Sequence, residues 1–517
     1  MAKSSTPSYT VKRRIYPEPW QADIINRKMD LGNRMYNNAV RHYKSVVEEL
    51  RQDLWFIRNL EAWKACGEDD PGKEDFSNEV SACISAYGLD EYDIHAYMAR
   101  GKNISNPKGL GINIIQKLGT ALSHSVRKAV FSGTEIHFRR HGSTDTLEEK
   151  AARSGIIYKP EKDMVSFSGM RLRLKPVRKK DAYLARAMQG QIKYCRIVRD
   201  PFGAGYRYFL QIIMKGKAPD KVSMGAGSAG LDPGGGVSTM AVVGDSGAGF
   251  FTLAEGVEKY ERAVRDAATV YERRRRLANP QNYNPDGTVK KDTKTFKQHW
   301  RRTKGATRAL MELKSAYRKK ASYIKNCHGY LSNRIVESCS VLIKEPMDYS
   351  ALAKRARKLE RQDKTSEIRQ KDGSVREVRK YKNKKRFGSS IGRRSPAAFV
   401  KQLEDKLHRY GGLVYDVDIA SFRASQYDHI EDTYKKPLLS DRFKLVGGHI
   451  VQRDLYSGFL LWNAADLVHS ARKKCLETFP LFLEMQEKVL FDMMVSGDLT
   501  GNFGLKDMLA VNAVQAA

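Results

Sequence analysis

Ala229-Gly230-Leu231-Asp232-Pro233-Gly234 closes a short apolar run on an acid and a turn. Two more runs follow, Val237 to Val243 and Gly249 to Leu253, so this region predicts three successive strands joined by glycine turns. Downstream, Leu310, Leu313, Tyr317, Ala321, Ile324, His328, Leu331 and Ile335 step by three and four, the spacing of one helix face. Val341-Leu342-Ile343 then predicts a buried strand, Pro396 to Tyr410 a helix, Leu413 to Ile419 a strand, and Arg453 to at least Val468 a helix. Alternation of helix with apolar strand predicts an α/β core of the RNase H-like kind.

Three acids stand at the junctions of that pattern. Asp232 ends the first strand, Glu345 ends Val341-Leu342-Ile343-Lys344-Glu345, and Asp454 opens the helix of Arg453-Asp454-Leu455. Singly, each has a plain structural reading: Asp-Pro-Gly is a common turn, Glu345 precedes Pro346, and an early-helix acid is favoured by the helix dipole. In strand, strand, helix order they form a catalytic and metal-ligating candidate set. Carboxylates so placed can converge, and can then hold two Mg²⁺ ions about 4 Å apart, with Mn²⁺ as a substitute.

Towards the N-terminus, Tyr9 to Tyr16 alternates as a strand, and Pro17-Glu18-Pro19 breaks it and opens a helix with a stripe through Trp20, Ile24, Leu31, Met35, Ala39, Tyr43 and Val47. Further helix is expected around Trp55 to Trp63 and Ile112 to Phe131, with an acidic, solvent-facing stretch from Glu68 to Asp93 between them. Short strands follow over Glu135–Arg139, Gly155–Lys159, Met164–Phe167, Leu172–Leu174, Gln191–Val198 and Tyr206–Ile213, which predicts a small β-barrel completed by the first strand. Residues 215 to 230 are rich in Gly, Ala, Ser and Lys, a linker composition.

The 517 residues carry 92 Lys and Arg against 59 Asp and Glu, a net charge of +33. A charge of that size implies a polyanionic partner, and nucleic acid is the obvious one. Lys354 to Arg394 is densely basic with few apolar anchors and is expected to be a mobile arm that orders on nucleic acid. No run approaches the 18 apolar residues of a membrane span, which excludes a membrane helix and predicts a cytoplasmic protein. The six cysteines form no Cys-x-x-Cys pair, so neither a disulfide framework nor a zinc ribbon is supported.

In order along the chain these features resemble the TnpB family of insertion-sequence nucleases and the compact type V CRISPR effectors related to it, including transitional members. Asn33-Arg34-Met35-Tyr36-Asn37 resembles the family's N-terminal helix, Gly230-Leu231-Asp232-Pro233-Gly234 its first RuvC motif and Leu342-Ile343-Lys344-Glu345 its second. Phe422-Arg423-Ala424-Ser425-Gln426 resembles the segment after the fifth strand, and Gln452-Arg453-Asp454-Leu455 the third motif. The resemblance implies a multidomain α/β protein. Residues 1–19 would be the first strand of a wedge β-barrel, 20–131 a helical recognition insertion, and 132–220 the rest of the barrel. Residues 221–468 would be the RuvC core, with a basic insertion at 257–340, and 469–517 a C-terminal tail. It further implies a Mg²⁺-dependent DNA endonuclease, bacterial or archaeal, whose partners are a guide RNA and target double-stranded DNA, as a monomer or a dimer on one RNA. Arg273, Arg274, Arg275, Arg276, Arg301, Arg302, Arg318 and Lys319 fall in its bridging region and are nucleic-acid-binding candidates.

Two departures stand out. Where the family carries zinc-ribbon cysteines, this chain has Tyr427-Asp428-His429-Ile430-Glu431, so no zinc is expected and a metal-free loop over 427–449 takes that place. His429 and His449 are expected at the surface, while Arg423 and Arg442 are the candidates for contact with substrate phosphate. Pro346-Met347-Asp348 also departs from the usual Asp-Leu, with Asp348 expected as a turn residue. The alternatives are an RNA-guided binder that represses without cutting, a guide-independent transposase or junction nuclease, and a basic structural RNA-binding protein.

Overall fold

The computed structural model describes residues 7–68, 70–105, 109–178, 181–234, 238–293, 295–353, 361–369, 375–381, 388–438 and 441–496. The chain forms two compact units, one of Met1–Pro219 with Thr303–Ser315 and one of Asp220–Arg302 with Ala316–Ala517.

The first unit opens with β1 (Ser8–Tyr16), then α1 (Pro19–Leu50), α2 (Leu54–Ala65), α3 (Lys73–Ala86), α4 (Glu91–Ser105) and α5 (Ile112–Ser132). Pro19 at the first helical position and a Glu18/Gln21 capping box start α1 where the proline pair predicts. Strands β2 (Thr146–Glu148), β3 (Ile157–Lys159), β4 (Met164–Phe167) and β5 (Met170–Leu174), the short helix α6 (Ala182–Ala187), and strands β6 (Ile192–Phe202) and β7 (Gly205–Lys215) complete it. The acidic stretch from Glu68 to Asp93, expected to face solvent, is largely helix: it contains α3 and the start of α4.

The expected β-barrel does not form. The strands make one open seven-stranded sheet in the order β2-β6-β7-β1-β5-β4-β3. Closure would require the two edges to pair, yet β2 pairs with β6 and β3 with β4, each over three residues, and the edges do not pair with each other. The strand expected at Glu135 to Arg139 is absent because its backbone is engaged elsewhere. The Asn37 amide donates to the Arg139 carbonyl and accepts the Arg139 N–H, both at 2.8 Å.

The second unit carries β8 (Ser228–Asp232), β9 (Thr239–Gly244), β10 (Gly247–Thr252), α7 (Glu258–Ala278) and α8 (Lys304–Ser338). The residues of α8 up to Ser315 group with the first unit, where Ser315 Oγ accepts the Gly203 amide at 3.0 Å. Next come β11 (Val341–Lys344), α9 (Tyr349–Ala353), the hairpin β12 (Arg361–Arg369) and β13 (Val375–Tyr381), α10 (Gly388–Arg394), α11 (Pro396–Tyr410), β14 (Leu413–Asp416) and α12 (Ile419–Phe422). Two small hairpins follow, β15 (Tyr427–Asp428) with β16 (Thr433–Tyr434) and β17 (Phe443–Val446) with β18 (His449–Gln452), and then helices α13 (Arg453–Trp462) and α14 (Arg472–Val495). Among the described residues, then, the basic arm holds a hairpin and a helix, and the loop over 427–449 contains the first of the two small hairpins and most of the second. The expected C-terminal tail begins with a 24-residue helix. The helix from Arg453 stops at Trp462 rather than continuing to Val468, and the Ala471 amide returns to the Asn463 carbonyl at 2.7 Å.

The central sheet has the order β10-β9-β8-β11-β14. Strands β8, β9 and β10 run antiparallel in sequence, while β11 lies parallel to both β8 and β14, the mixed arrangement of an RNase H-like sheet. Alternation along the strands sorts their side chains between two cores. Ala229, Leu231, Met240, Val242 and Leu342 pack with Ile335, Phe399 and Leu403 beneath α8 and α11. Ala241 and Val243 pack on the other face with Phe459, Phe479 and Phe482 of α13 and α14. Among the described residues no helix is long and apolar enough to cross a membrane.

Candidate functional site

The same alternation aims the acids. Gly230 lies against α13, so Asp232, two residues on, belongs to that face. Leu231 pairs with Lys344 in the parallel register of β8 and β11, which sets Glu345 beside Asp232 at neighbouring strand ends. Lys344 points to the opposite face, where it is buried and paired with Glu404 at 3.0 Å and with Asp416. Their two charges outweigh the burial that would lower its ammonium, and hold it above the ordinary lysine value.

Helix α13 brings the third acid. A Cβ added to Gly230 would lie 2.1 Å from the Gly458 carbonyl oxygen and 2.4 Å from the Trp462 nitrogen, so only glycine lets this helix lie directly on β8. Gln452 caps the helix by accepting the Leu455 amide at 2.8 Å, and Asp454 occupies its first turn, 6 % exposed.

Asp232 feels the other two carboxylates. Asp232 keeps a little solvent-accessible surface yet is enclosed by protein, as a group at the floor of a cleft is. Burial, then the charges of Asp454 and Glu345, push its carboxyl well above the usual carboxylate range, against the pull of the Gly234 amide that donates to Oδ1 at 3.0 Å. Burial likewise raises Glu345, opposed by the Ala424 amide. Among the described residues neither Asp232 nor Glu345 has an ion pair. Arg442 and Arg453 approach Asp454, at 4.0 and 3.4 Å.

Beside the acids, the Ser457 hydroxyl, one helical turn after Asp454, faces Asp232 and draws its carboxyl down, while the buried Arg442 Nη1 lacks a hydrogen-bond partner among the described residues. A hard divalent cation fits this donor set, which is all oxygen, without an ion pair at Asp232 and Glu345, and flanked by the unsatisfied Arg442 Nη1. As the side chains stand, no three His, Cys, Asp or Glu among the described residues are gathered tightly enough to hold one. A cavity of about 250 Å³ opens beside Glu345, lined by Tyr349, Lys401 and Glu404 among others. Burial and the Asp232 charge push the Tyr349 hydroxyl up to about 12.

The basic candidates separate. Arg273 and Arg274 are exposed on α7. Arg275 pairs with Glu272 at 3.0 Å and lies 3.8 Å from the Trp300 ring centre; Arg276 donates to the Gly287 carbonyl at 3.2 Å. The last two therefore staple the connection between α7 and α8. Arg301 and Arg302 are exposed in that connection, with the Arg301 backbone held on both sides by the Asn279 amide. On α8, Arg318 is half-buried and Lys319 exposed. Arg423 is exposed against the Tyr434 ring at 4.3 Å, while Arg442 lies beside Asp454.

His449 is exposed, but His429 is fully buried, contrary to the expectation of a surface residue. Its Nδ1 lies 2.7 Å from the Tyr456 hydroxyl, Phe459 and Phe479 pack on its ring, and burial holds it down to about 4. Asp348 accepts the Ala351 amide at 2.9 Å, a turn and capping role. Sequence reasoning missed Ser457 and Tyr349. Spacing could have found the first, since i and i+3 share a helix face; nothing local marks the second.

No protein-family profile matches the chain, and no curated protein does. Among solved structures it is similar to the protein of a Cas12f1–sgRNA–target DNA complex determined by cryo-EM, at 9% identity over 88% of this chain and 98% of that chain, with a TM-score of 0.47. A CRISPR-Cas12f ternary complex aligns at 12% identity over 84% of this chain and 81% of that chain, with a TM-score of 0.25. Both are distant likenesses of fold.

Proposed function

We propose that this chain is a divalent-metal-dependent DNA endonuclease, directed by a bound guide RNA, with Asp232, Glu345 and Asp454 as its metal-holding acids. The observation that carries the reading is the enclosed Asp232 carboxyl, raised by burial and by the charges of two acids from distant parts of the chain. Evolution seldom leaves such repulsion in a fold without a use. When bound there, a pair of divalent cations supplies an activated water and stabilises the leaving 3′-oxygen. Arg442, beside Asp454 with its buried Nη1 unsatisfied, would take a phosphate oxygen of the strand being cut. The net charge of +33, and the exposed Arg273, Arg274, Arg301, Arg302 and Lys319, suit a long polyanion gripped through its backbone. The family motifs in order support guide RNA as the source of sequence choice, with the helical segment 20–131 as a recognition part.

The test is cleavage of a duplex matched to the copurifying RNA, with Mg²⁺ added. Wild type is expected to cut. Asp232→Ala, Glu345→Ala and Asp454→Ala should each lower cleavage by more than about 10³-fold while guide and target binding stay within about threefold, because the acids do chemistry and the basic surface does binding. Normal cleavage by any of the three removes that residue from the site. A chain that binds the duplex but leaves it whole is a repressor-type binder, and activity in RNA-free protein marks a guide-independent nuclease.

A further inference from the structure

Asp454 is braced by two glutamines that lead away from it into the last helix. Gln452, fully buried, caps α13 through Oε1 and donates from Nε2 to Asp454 Oδ2 at 3.5 Å. Its own backbone amide donates to Gln486 Oε1 at 2.7 Å, and Gln486 Nε2 donates to the Ile450 carbonyl at 3.1 Å. The N–H of residue 452 and the C=O of residue 450 face the same side of β18. One side-chain amide thus supplies the donor and the acceptor that a neighbouring strand would have supplied.

Gln486 is 5 % exposed, between Phe482 and Leu490 on the buried stripe of α14. An amide among such neighbours is costly unless both ends are bonded, and here both are. Its plain reading is a satisfied core polar group. Its position argues for more, because β18 runs without a break into α13, whose second residue is Asp454. The end of β18 is therefore what sets the cap, and the cap is what holds the carboxylate.

We propose that Gln486 is a positioning residue for Asp454, acting through β18 and Gln452 to set the affinity of the acid cluster for a divalent cation. The proposal rests on the reading of the three acids as a metal site. The residue touches neither cation nor substrate, so its loss should raise the metal requirement rather than remove the reaction.

The test uses the full chain with its bound RNA and Mn²⁺ as probe. Mn²⁺ binding is followed by electron paramagnetic resonance, with the binding lost in Asp454→Asn defining the site, and cleavage is titrated with metal in parallel. For Gln486→Met, of similar volume and without hydrogen bonds, the expected result is roughly tenfold weaker Mn²⁺ binding, the scale of losing an outer partner of a metal ligand. Half-maximal cleavage should shift to higher metal by the same factor, with a rate near wild type at saturation. Gln486→Glu keeps an oxygen for the Gln452 amide and should recover most of the loss. Should Gln486→Met not fold, Gln486→Thr leaves the same amide without its acceptor and takes its place. A lowered melting temperature with unchanged Mn²⁺ affinity makes Gln486 merely structural and overturns the proposal. Wild-type Mn²⁺ binding and cleavage by Asp454→Asn overturns the metal site itself, a result distinct from failure of the Gln486 variants alone.

Discussion

Asp232 makes the metal-free protein less stable than its fold allows. Its carboxyl lies above the value of an unfolded aspartate, so the native chain holds the proton more tightly than the unfolded chain does. The contribution of Asp232 is therefore fullest at low pH, and is lost as pH rises from about 4, the unfolded value, through the higher folded one. Asp232→Asn removes the charge but keeps the shape. Calorimetry in chelator at pH 7 to 8 should find this variant melting above wild type, by about 2–4 °C for each kcal/mol of repulsion relieved. A lower melting temperature would mean that the neighbouring acids do not act on Asp232. Added Mg²⁺ should stabilise wild type and leave Asp232→Asn nearly unmoved, since ligands stabilise only the state that binds them.

Between elements, the seating of α13 on β8 is decisive. Gly230→Ala forces a methyl group against the helix backbone at 2.1 Å, and backbone cannot yield as a flexible side chain would. The expected cost is about 1–3 kcal/mol from overpacking, with at least a 100-fold fall in cleavage because Asp454 rides on the displaced helix. Cleavage within a few-fold of wild type would show that the contact is slack. The His429 cluster ties β15 to α13 in another way. This ring is neutral when buried and its value is depressed to about 4, so its contribution is complete above about 6.5 and is lost as pH falls through 4. Melting temperatures across pH 4 to 6.5 should fall more steeply for wild type than for His429→Phe, corresponding to at most ~3 kcal/mol. Equal slopes would refute it.

These elements also mark where the sequence could and could not be read. That Asp232 and Glu345 each end an apolar strand is a local property and was legible beforehand, whereas the register that sets them side by side comes from pairing of β8 with β11. Barrel closure was not, because it depends on whether two three-residue edges meet, and because Asn37, about a hundred residues away, occupies the backbone of Arg139. His429 looked like a surface residue because the phenylalanines enclosing it lie 30 and 50 positions further on. Gln486 carries no motif; its meaning comes from one strand edge.

Across the whole molecule, the proposed function assigns binding and cleavage to different residues. On the proposed reading binding belongs to a broad cationic surface and cutting to three acids, so they should respond to different variables. Affinity for target DNA should fall steeply with salt, log K against log [salt] having a slope of about −0.7 to −0.9 per phosphate neutralised. Glu345→Ala should share the wild-type slope in a filter-binding or fluorescence titration, and a changed slope would place Glu345 in the binding surface. The central claim is that three carboxylates from β8, the end of β11 and α13 form one cation site. Anomalous diffraction from Mn²⁺-soaked crystals of the full chain tests it most directly. The account predicts strong peaks in coordination contact with Asp232, Glu345 and Asp454, as a pair about 4 Å apart. Absence of any peak there, or peaks held by other residues alone, would contradict it.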